Sequence, residues 1–310
     1  MIFCLCANAG VDRTYEVPDF AVGGFHHPAR MLVGAGGKGV NVARGLSALR
    51  VPVAVAGFAG GRAGALLAAD LRRLGIQPAL TQIREESRTT LTVVDPQTHS
   101  VTRLDEWGPL VSPTEVLMLR GQWKAAMQSA EFAVIAGNPP RGVPRELYAQ
   151  LVSRSVKEGV PTLVDAHEEH LQGALSARPQ VVKVNLRELT WLAKRPLVVP
   201  DGVIAFSVEL LAEGVEAVFT TLGAAGALLV ARGLNPALVT APEVDAVSAV
   251  GCGDAATAGW VAAHREGRPL TERARWAVAA GSANCALLPA AAITREALEN
   301  LLPQVIVEPL

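Results

Sequence analysis

Short aliphatic runs recur along this chain at intervals that suit a helix, and this alternation limits the fold more than any other feature. Residues 2–7, 53–57, 132–136, 162–165, 181–184, 217–221 and 227–231 are rich in Val, Ile, Leu, Phe and Ala. They are too short for helices and lack the polar alternation of a half-exposed strand. Stretches with apolar residues at helical spacing are interleaved with them: 40–49, 63–74, 113–129, 144–157, 186–193, 207–213, 254–265, 271–287 and 294–302. Strands buried on both faces and connected through helices form a mostly parallel sheet between two helical layers. The expected class is therefore α/β, in three layers.

Two segments break the rhythm. Residues 12–33 and 88–105 read as extended strands with no helix between them. In the second, Asp95-Pro96-Gln97-Thr98-His99 has the turn residues of a hairpin. A small β sheet on the edge of the main one accounts for both, and acts as a lid in this reading. No linker is long enough to divide the 310 residues, so one domain, 1–310, is expected.

The 28 Lys and Arg against 29 Asp and Glu leave no basic excess, which argues against nucleic acid as the main partner. No apolar run approaches the ~18 residues of a membrane helix. Residues 1–10 have no basic start and read as a first strand, so a cytoplasmic protein is expected. Cys4 and Cys6 alternate along that strand and share one face. No Cys-x-x-Cys occurs, so the spacing of Cys4, Cys6, Cys252 and Cys285 predicts reduced thiols without a metal or redox site.

The chemistry concentrates in two glycine clusters. Gly251-Cys252-Gly253-Asp254 precedes an Ala-rich helical stretch, so a helix should open at or near Gly253. The first N–H groups of a helix have no intrahelical acceptor and carry the positive end of its dipole. Glycines let a phosphate approach them closely, and an Asp at that point can receive a proton from an attacking hydroxyl. An anion hole beside a base is what phosphoryl transfer to an alcohol requires. The plain alternative is that Asp254 only caps the helix.

Gly34-Ala35-Gly36-Gly37-Lys38-Gly39 fits the Gly-x-Gly-x-x-Gly dinucleotide spacing, but the acid ~20 residues on is missing. An NAD(P)-dependent oxidoreductase is thus a weak rival. A P-loop needs Ser or Thr after the lysine, where this chain has Gly39. What remains is a tight loop opening a helix near Val40, with a cation and Asn41, suited to a polyhydroxylated or phosphorylated ligand.

Together, in this order, the clusters resemble the ribokinase-like (PfkB) carbohydrate kinases over nearly the whole length. Asn8-Ala9-Gly10-Val11-Asp12-Arg13-Thr14 is similar to the family's opening Asn-Pro-Ala-x-Asp-x-Thr. Gly36-Gly37-Lys38-Gly39-Val40-Asn41 resembles its first signature, and Arg88-Thr89 part of its lid. Glu106-Trp107-Gly108-Pro109, Asn185-Leu186-Arg187-Glu188 and Thr221-Leu222-Gly223-Ala224-Ala225-Gly226 are similar to three further motifs. Gly251-Cys252-Gly253-Asp254 stands where the family has Gly-Ala-Gly-Asp. The branch it resembles most is 1-phosphofructokinase and tagatose-6-phosphate kinase.

The resemblance implies a ribokinase-like fold and an ATP-dependent, Mg²⁺-assisted phosphorylation of a sugar hydroxyl, with a ketohexose monophosphate as substrate. Asp254 is then the base, and Gly251, Cys252 and Gly253 form the anion hole with it. Asp12, Gly36, Gly37, Asn41 and Asn138 border the sugar, and Lys38, Arg88 and Arg103 face its phosphate. Lys183, Asn185, Thr221, Gly223, Gly226 and Asn284 border the nucleotide. Glu188 organises Mg²⁺ through water. A homodimer through the lid is the expected assembly. The segment Ala136-Gly137-Asn138-Pro139-Pro140-Arg141-Gly142 departs from the family's Ser-Gly-Ser-Leu-Pro-Pro-Gly, and Ala166-His167 from its Thr-Ser. A kinase-like sugar-phosphate sensor without turnover is the second rival.

Overall fold

The computed structural model describes residues 1–98, 100–287 and 291–310. The chain opens with β1 (Ile2–Leu5), β2 (Gly10–Glu16), β3 (Arg30–Gly36), α1 (Lys38–Ala48), β4 (Val53–Ala59), α2 (Gly61–Arg73) and β5 (Gln77–Gln82). Next come β6 (Arg88–Asp95), β7 (Ser100–Asp105), α3 (Pro113–Ala126), β8 (Phe132–Ala136), α4 (Leu147–Lys157), β9 (Thr162–Asp165), α5 (Glu168–Leu175) and β10 (Val181–Asn185). The last third holds α6 (Leu186–Ala193), α7 (Asp201–Glu213), β11 (Ala217–Thr221), β12 (Ala227–Ala231), β13 (Ala237–Thr240), α8 (Cys252–Arg265), α9 (Leu270–Cys285), α10 (Arg295–Leu301) and β14 (Ile306–Pro309).

The large sheet runs β14-β13-β12-β11-β10-β9-β8-β1-β4-β5. From β11 to β5 every pairing is parallel, and β12, β13 and β14 add on antiparallel. Successive side chains of a strand point to opposite faces, and β1 shows the result. Ile2, Cys4 and Cys6 enter the core under α1, α2, α8, α9 and α10, while Phe3 and Leu5 enter the core under α3 to α7. The expected class, a mostly parallel sheet between two helical layers, is the observed one.

A second sheet runs β3-β2-β6-β7, with β2 and β6 parallel and the other pairings antiparallel. Its strands come from the two segments that lack helices in the sequence. Asp12 stands opposite Gly34 on one side and Thr90 on the other, and Thr90 opposite Asp105. One face therefore carries Asp12, Thr90, Arg103 and Asp105, and the other Met31, Val33 and Leu104, by the period of two. In the β6–β7 turn Asp95 accepts bonds from the Gln97 N–H (2.9 Å) and the Thr98 hydroxyl (3.0 Å), an Asx-type turn. His99 of that turn lies outside the described residues.

Some boundaries differ from expectation. α7 begins at Asp201, not 207, and α4 at Leu147, not 144. β5, β13 and β14 were not expected. They lie toward the sheet's ends, and β5 carries Gln77, Pro78 and Gln82, which blur the apolar pattern. Among the described residues no helix is long and apolar enough to cross a membrane.

Candidate active site

β1 lies inside the sheet, with β4 on one side and β8 on the other. In such sheets ligands bind beyond the carboxyl ends of the strands, where the winding direction reverses. Here a cleft of about 1530 Å³ opens at those ends. It is walled by residues just past β1 (Asn8), β8 (Asn138) and β9 (His167), by Asn185 and Thr221 ending β10 and β11, and by the start of α8. Cleft-lining Asp12, Arg88, Arg103 and Asp105 come from the small sheet.

α8 begins at Cys252, one residue before the expected start, with Gly251 as its N-cap in the left-handed region (φ 80°). Asp254 falls in the first turn and is buried. Its carboxylate accepts 2.8 Å from Asn41 Nδ2 of α1, so the two glycine clusters meet here. Among the described residues no capping bond from Asp254 to its own helix accompanies that contact, although it is the acidic residue of the first turn. Burial raises its proton affinity and the charge of Asp165 raises it further. The Asn41 bond and the ammoniums of Lys38 and Lys183 pull the other way.

Asp165, the last residue of β9, was not singled out from the sequence. It is fully buried and accepts 2.8 Å bonds from both Lys38 Nζ and Lys183 Nζ. Burial alone would raise its pKa; the two ammoniums outweigh that and hold the carboxyl well below the usual range. Lys38 also lies 3.7 Å from Glu188. Expected to face the sugar phosphate, Lys38 is thus placed against Asp165 and Glu188. A Cβ on Gly253 would sit 2.8 Å from Lys183 Nζ, so a side chain there would push that ammonium away from the start of α8.

On the small-sheet side, Asp12 is mostly buried. Burial raises its pKa, and Arg88, Arg103 and Arg44 oppose the rise. Gly36 does not line the cleft; its missing Cβ leaves room for the Asp12 carboxylate. Arg88 donates to the Asn8 carbonyl (3.0 Å), Thr90 (2.6 Å) and Asp105 (3.3 Å), and Arg103 pairs with Asp105 at 2.9 Å. Asn8 Oδ1, Asp12 Oδ1 and Asn41 Oδ1 are buried with no hydrogen-bond partner among the described residues. Gly37 and Asn138 also line the cleft, and Asn138 Oδ1 accepts from the His167 N–H at 3.1 Å.

Toward β11, the cleft is lined by Thr221, Gly223, Gly226, Ala277, Val278 and Gly281. Asn185 and Glu188 form a reciprocal capping box at the start of α6, with both bonds 2.9 Å. Glu188 Oε1 also has His167 Nδ1 at 2.5 Å. Asn284 is a correction. It is fully buried, and its side chain donates to the Val250 carbonyl (2.9 Å) and accepts from the Ala291 N–H (2.5 Å), so it braces the glycine loop from behind. The four cysteines are free, as expected, but folding brings Cys252 and Cys285 into contact, which their spacing did not suggest. The dinucleotide reading also falls, since Gly34 and Gly36 lie within β3 of the small sheet, outside any βαβ unit.

Residues 7–292 match the sequence profile of the pfkB family carbohydrate kinases. Fold and match together define an ATP-dependent sugar kinase. The chain belongs to the pfkB carbohydrate kinase family. It is 34% identical over 273 residues to a 1-phosphofructokinase of Rhodobacter capsulatus, covering 88% of this chain and 86% of that one. Identity to a 1-phosphofructokinase of Bacillus subtilis (strain 168) is 28% over 307 residues, 98% of each chain. The fold is similar to Escherichia coli phosphofructokinase-2 in complex with fructose-6-phosphate, with a TM-score of 0.90, 28% identity and 98% of each chain covered. The expected family and ribokinase-like fold class are borne out.

Asp165 yields a test. Asp165→Asn leaves the buried Lys183 ammonium without its counter-charge and Lys38 with only Glu188 at 3.7 Å, a change that costs about 3–5 kcal/mol. Because the folded carboxyl is depressed, its contribution is present above the unfolded value, ~3.9, and is lost as pH falls through the folded value. Urea unfolding at neutral pH should show the loss, with the gap between parent and variant narrowing only in strong acid. An unchanged midpoint at pH 7 would refute the role.

Proposed function

We propose that this sugar kinase transfers the terminal phosphoryl group of ATP to a hydroxyl of a ketohexose monophosphate, with Asp254 as general base. The observation that carries the reading is the buried Asp254 carboxylate, held by Asn41 beside the opening of α8 and not engaged in capping. Raised proton affinity makes it a better base than an exposed Asp, while the cations nearby favour its ionised form. It takes the hydroxyl proton as the oxygen attacks. The N–H groups of residues 251–254 and the Lys183 ammonium meet the charge on the transferred phosphoryl. Lys38 joins them, given its place against Asp165 and Glu188.

Mg²⁺-ATP, when bound, supplies the phosphoryl group and part of its counter-charge. Glu188 is the carboxylate that would meet a hydrated Mg²⁺: it lines the cleft, and its Oε1, 2.5 Å from His167 Nδ1, is not used by the capping bond. Thr221, Gly223 and Gly226 border the nucleotide.

Asn8, Asp12 and Asn41 line the cleft with unpartnered acceptors, suited to the donors of sugar hydroxyls. Arg88 and Arg103 suit the phosphate already on the sugar. The names of the relatives, 1-phosphofructokinase and phosphofructokinase-2 with fructose-6-phosphate, favour a ketohexose monophosphate. The small sheet is the lid in this reading, closing over the sugar and excluding water.

Asp254→Asn preserves size but cannot take the proton. Turnover should fall by ~10²–10⁴ with ATP affinity nearly unchanged in a binding titration. A variant that keeps turnover within about threefold of the parent would remove Asp254 from the chemistry, and a parent without turnover would favour the sensor.

Arg88→Ala should raise KM for fructose monophosphates by about one to two orders of magnitude, at 1.5–3 kcal/mol per charge-assisted bond. KM for ATP should hardly move. If free fructose proves the better substrate and sugar KM ignores the substitution, the phosphosugar reading is wrong.

The face of the small sheet opposite the cleft exposes Met31, Val33 and Leu104, and a second copy of the chain is proposed to cover it. Sedimentation should then find a dimer that Leu104→Asp splits. A monomeric parent at micromolar concentration would refute this.

A further inference from the structure

Cys252 is the first residue of α8 and Cys285 the last of α9, so the hairpin of helices brings them together across 33 positions of sequence. Their sulfurs lie 2.7 Å apart. Both positions are held from several sides. Asn284 Nδ2 donates to Cys252 Sγ at 3.4 Å, and the Cys285 carbonyl accepts from the Val247 and Ser248 N–H groups at 2.7 and 3.0 Å. Both side chains are partly exposed and line the main cleft, where a small oxidant can reach them. Cys4 and Cys6 are buried in the sheet and serve as internal controls.

We infer that Cys252 and Cys285 are a redox-sensitive thiol pair, closed to a disulfide by hydroperoxides and reopened by thiol reductants. Either sulfur can donate in this contact; with Cys252 donating, the Cys285 thiol is brought down to about 7, while that same bond and burial push Cys252 up. In that arrangement Cys285 is the attacking sulfur. Its thiolate attacks a peroxide oxygen: an S–O bond forms, the O–O bond breaks, and the departing hydroxide or alkoxide takes a proton from solvent. This gives a sulfenic acid. The Cys252 sulfur then attacks the Cys285 sulfur: an S–S bond forms, the S–O bond breaks, and the leaving hydroxide takes the Cys252 proton as water. Two thiols and one hydroperoxide give one disulfide, one water and one alcohol, or a second water when the oxidant is hydrogen peroxide. Two electrons pass from sulfur to oxygen.

The consequence for activity rests on the proposed nucleotide site. A disulfide would tie the opening of α8 to the end of α9, and with them loop 243–251, which also lines the cleft. That loop and the helix start would lose the freedom to adjust around the phosphates of ATP.

The test treats the reduced, full-length protein with hydrogen peroxide, then alkylates it under denaturing conditions. Peptide mass mapping should show the Cys252 and Cys285 peptides linked, about 2 Da below their sum, with Cys4 and Cys6 alkylated. kcat/KM for ATP should fall about tenfold, recover with dithiothreitol, and be protected by saturating ATP during oxidation. Cys285→Ser and Cys252→Ser, each compared with its own reduced form, should not respond to peroxide. Absence of the linked peptide overturns the pair whatever the kinase reading. A linked peptide with unchanged ATP kinetics overturns the regulatory role and leaves the chemistry of the pair standing.

Discussion

The carboxylate of Asp165 holds the site together. Removing one carboxylate and two ammoniums from water is unfavourable unless they find each other with good geometry. Here Lys38 arrives from the start of α1 and Lys183 from within β10, and both meet Asp165 at 2.8 Å. The result fixes the floor of the cleft. α1 is anchored by its first residue, so Asn41, one turn further on, is set to reach Asp254. Asp165 also acts on Asp254 at a distance: its charge raises the proton affinity of the second carboxylate, while the cations it holds lower it. Two buried acids beside one cleft are thereby shifted in opposite directions, Asp165 toward its anion and Asp254 toward its protonated form.

Much of this was legible in the sequence because it is local. The strand β11 (Ala217–Thr221) and the opening of α8 beside Gly253 follow from short apolar runs and glycine placement. Asn41 and Asp254 could each be named from their own loops, though not their bond, which spans 213 positions. Asp165 went unremarked because a single acid ending an apolar strand has no local signal; its meaning depends on two lysines from other elements. Asn284 was misplaced for the same reason. A polar residue on an Ala-rich helix near a nucleotide motif suggests a ligand contact, yet its partners are Val250, Cys252 and Ala291. The contact between Cys252 and Cys285 depends on how two helices pair, which no spacing rule of the metal or redox motifs encodes. The edge strands were missed because packing, not pattern, defines them.

The small sheet draws one wall of the cleft from two distant stretches of chain. β2 pairs in parallel with β6, Gly10 against Arg88, while α1, β4, α2 and β5 lie between them in sequence. Parallel neighbours cannot form as a hairpin, and the entropy of closing so long a loop must be overcome before their contacts contribute. The intervening elements shorten that loop only after they have docked on the main sheet. In the order of folding, the wall that carries Asp12 and Arg88 is expected to come after the floor that carries Asp165. A nascent or partly unfolded chain would then hold Lys38, Lys183 and Asp254 in place while having no enclosed cleft around them.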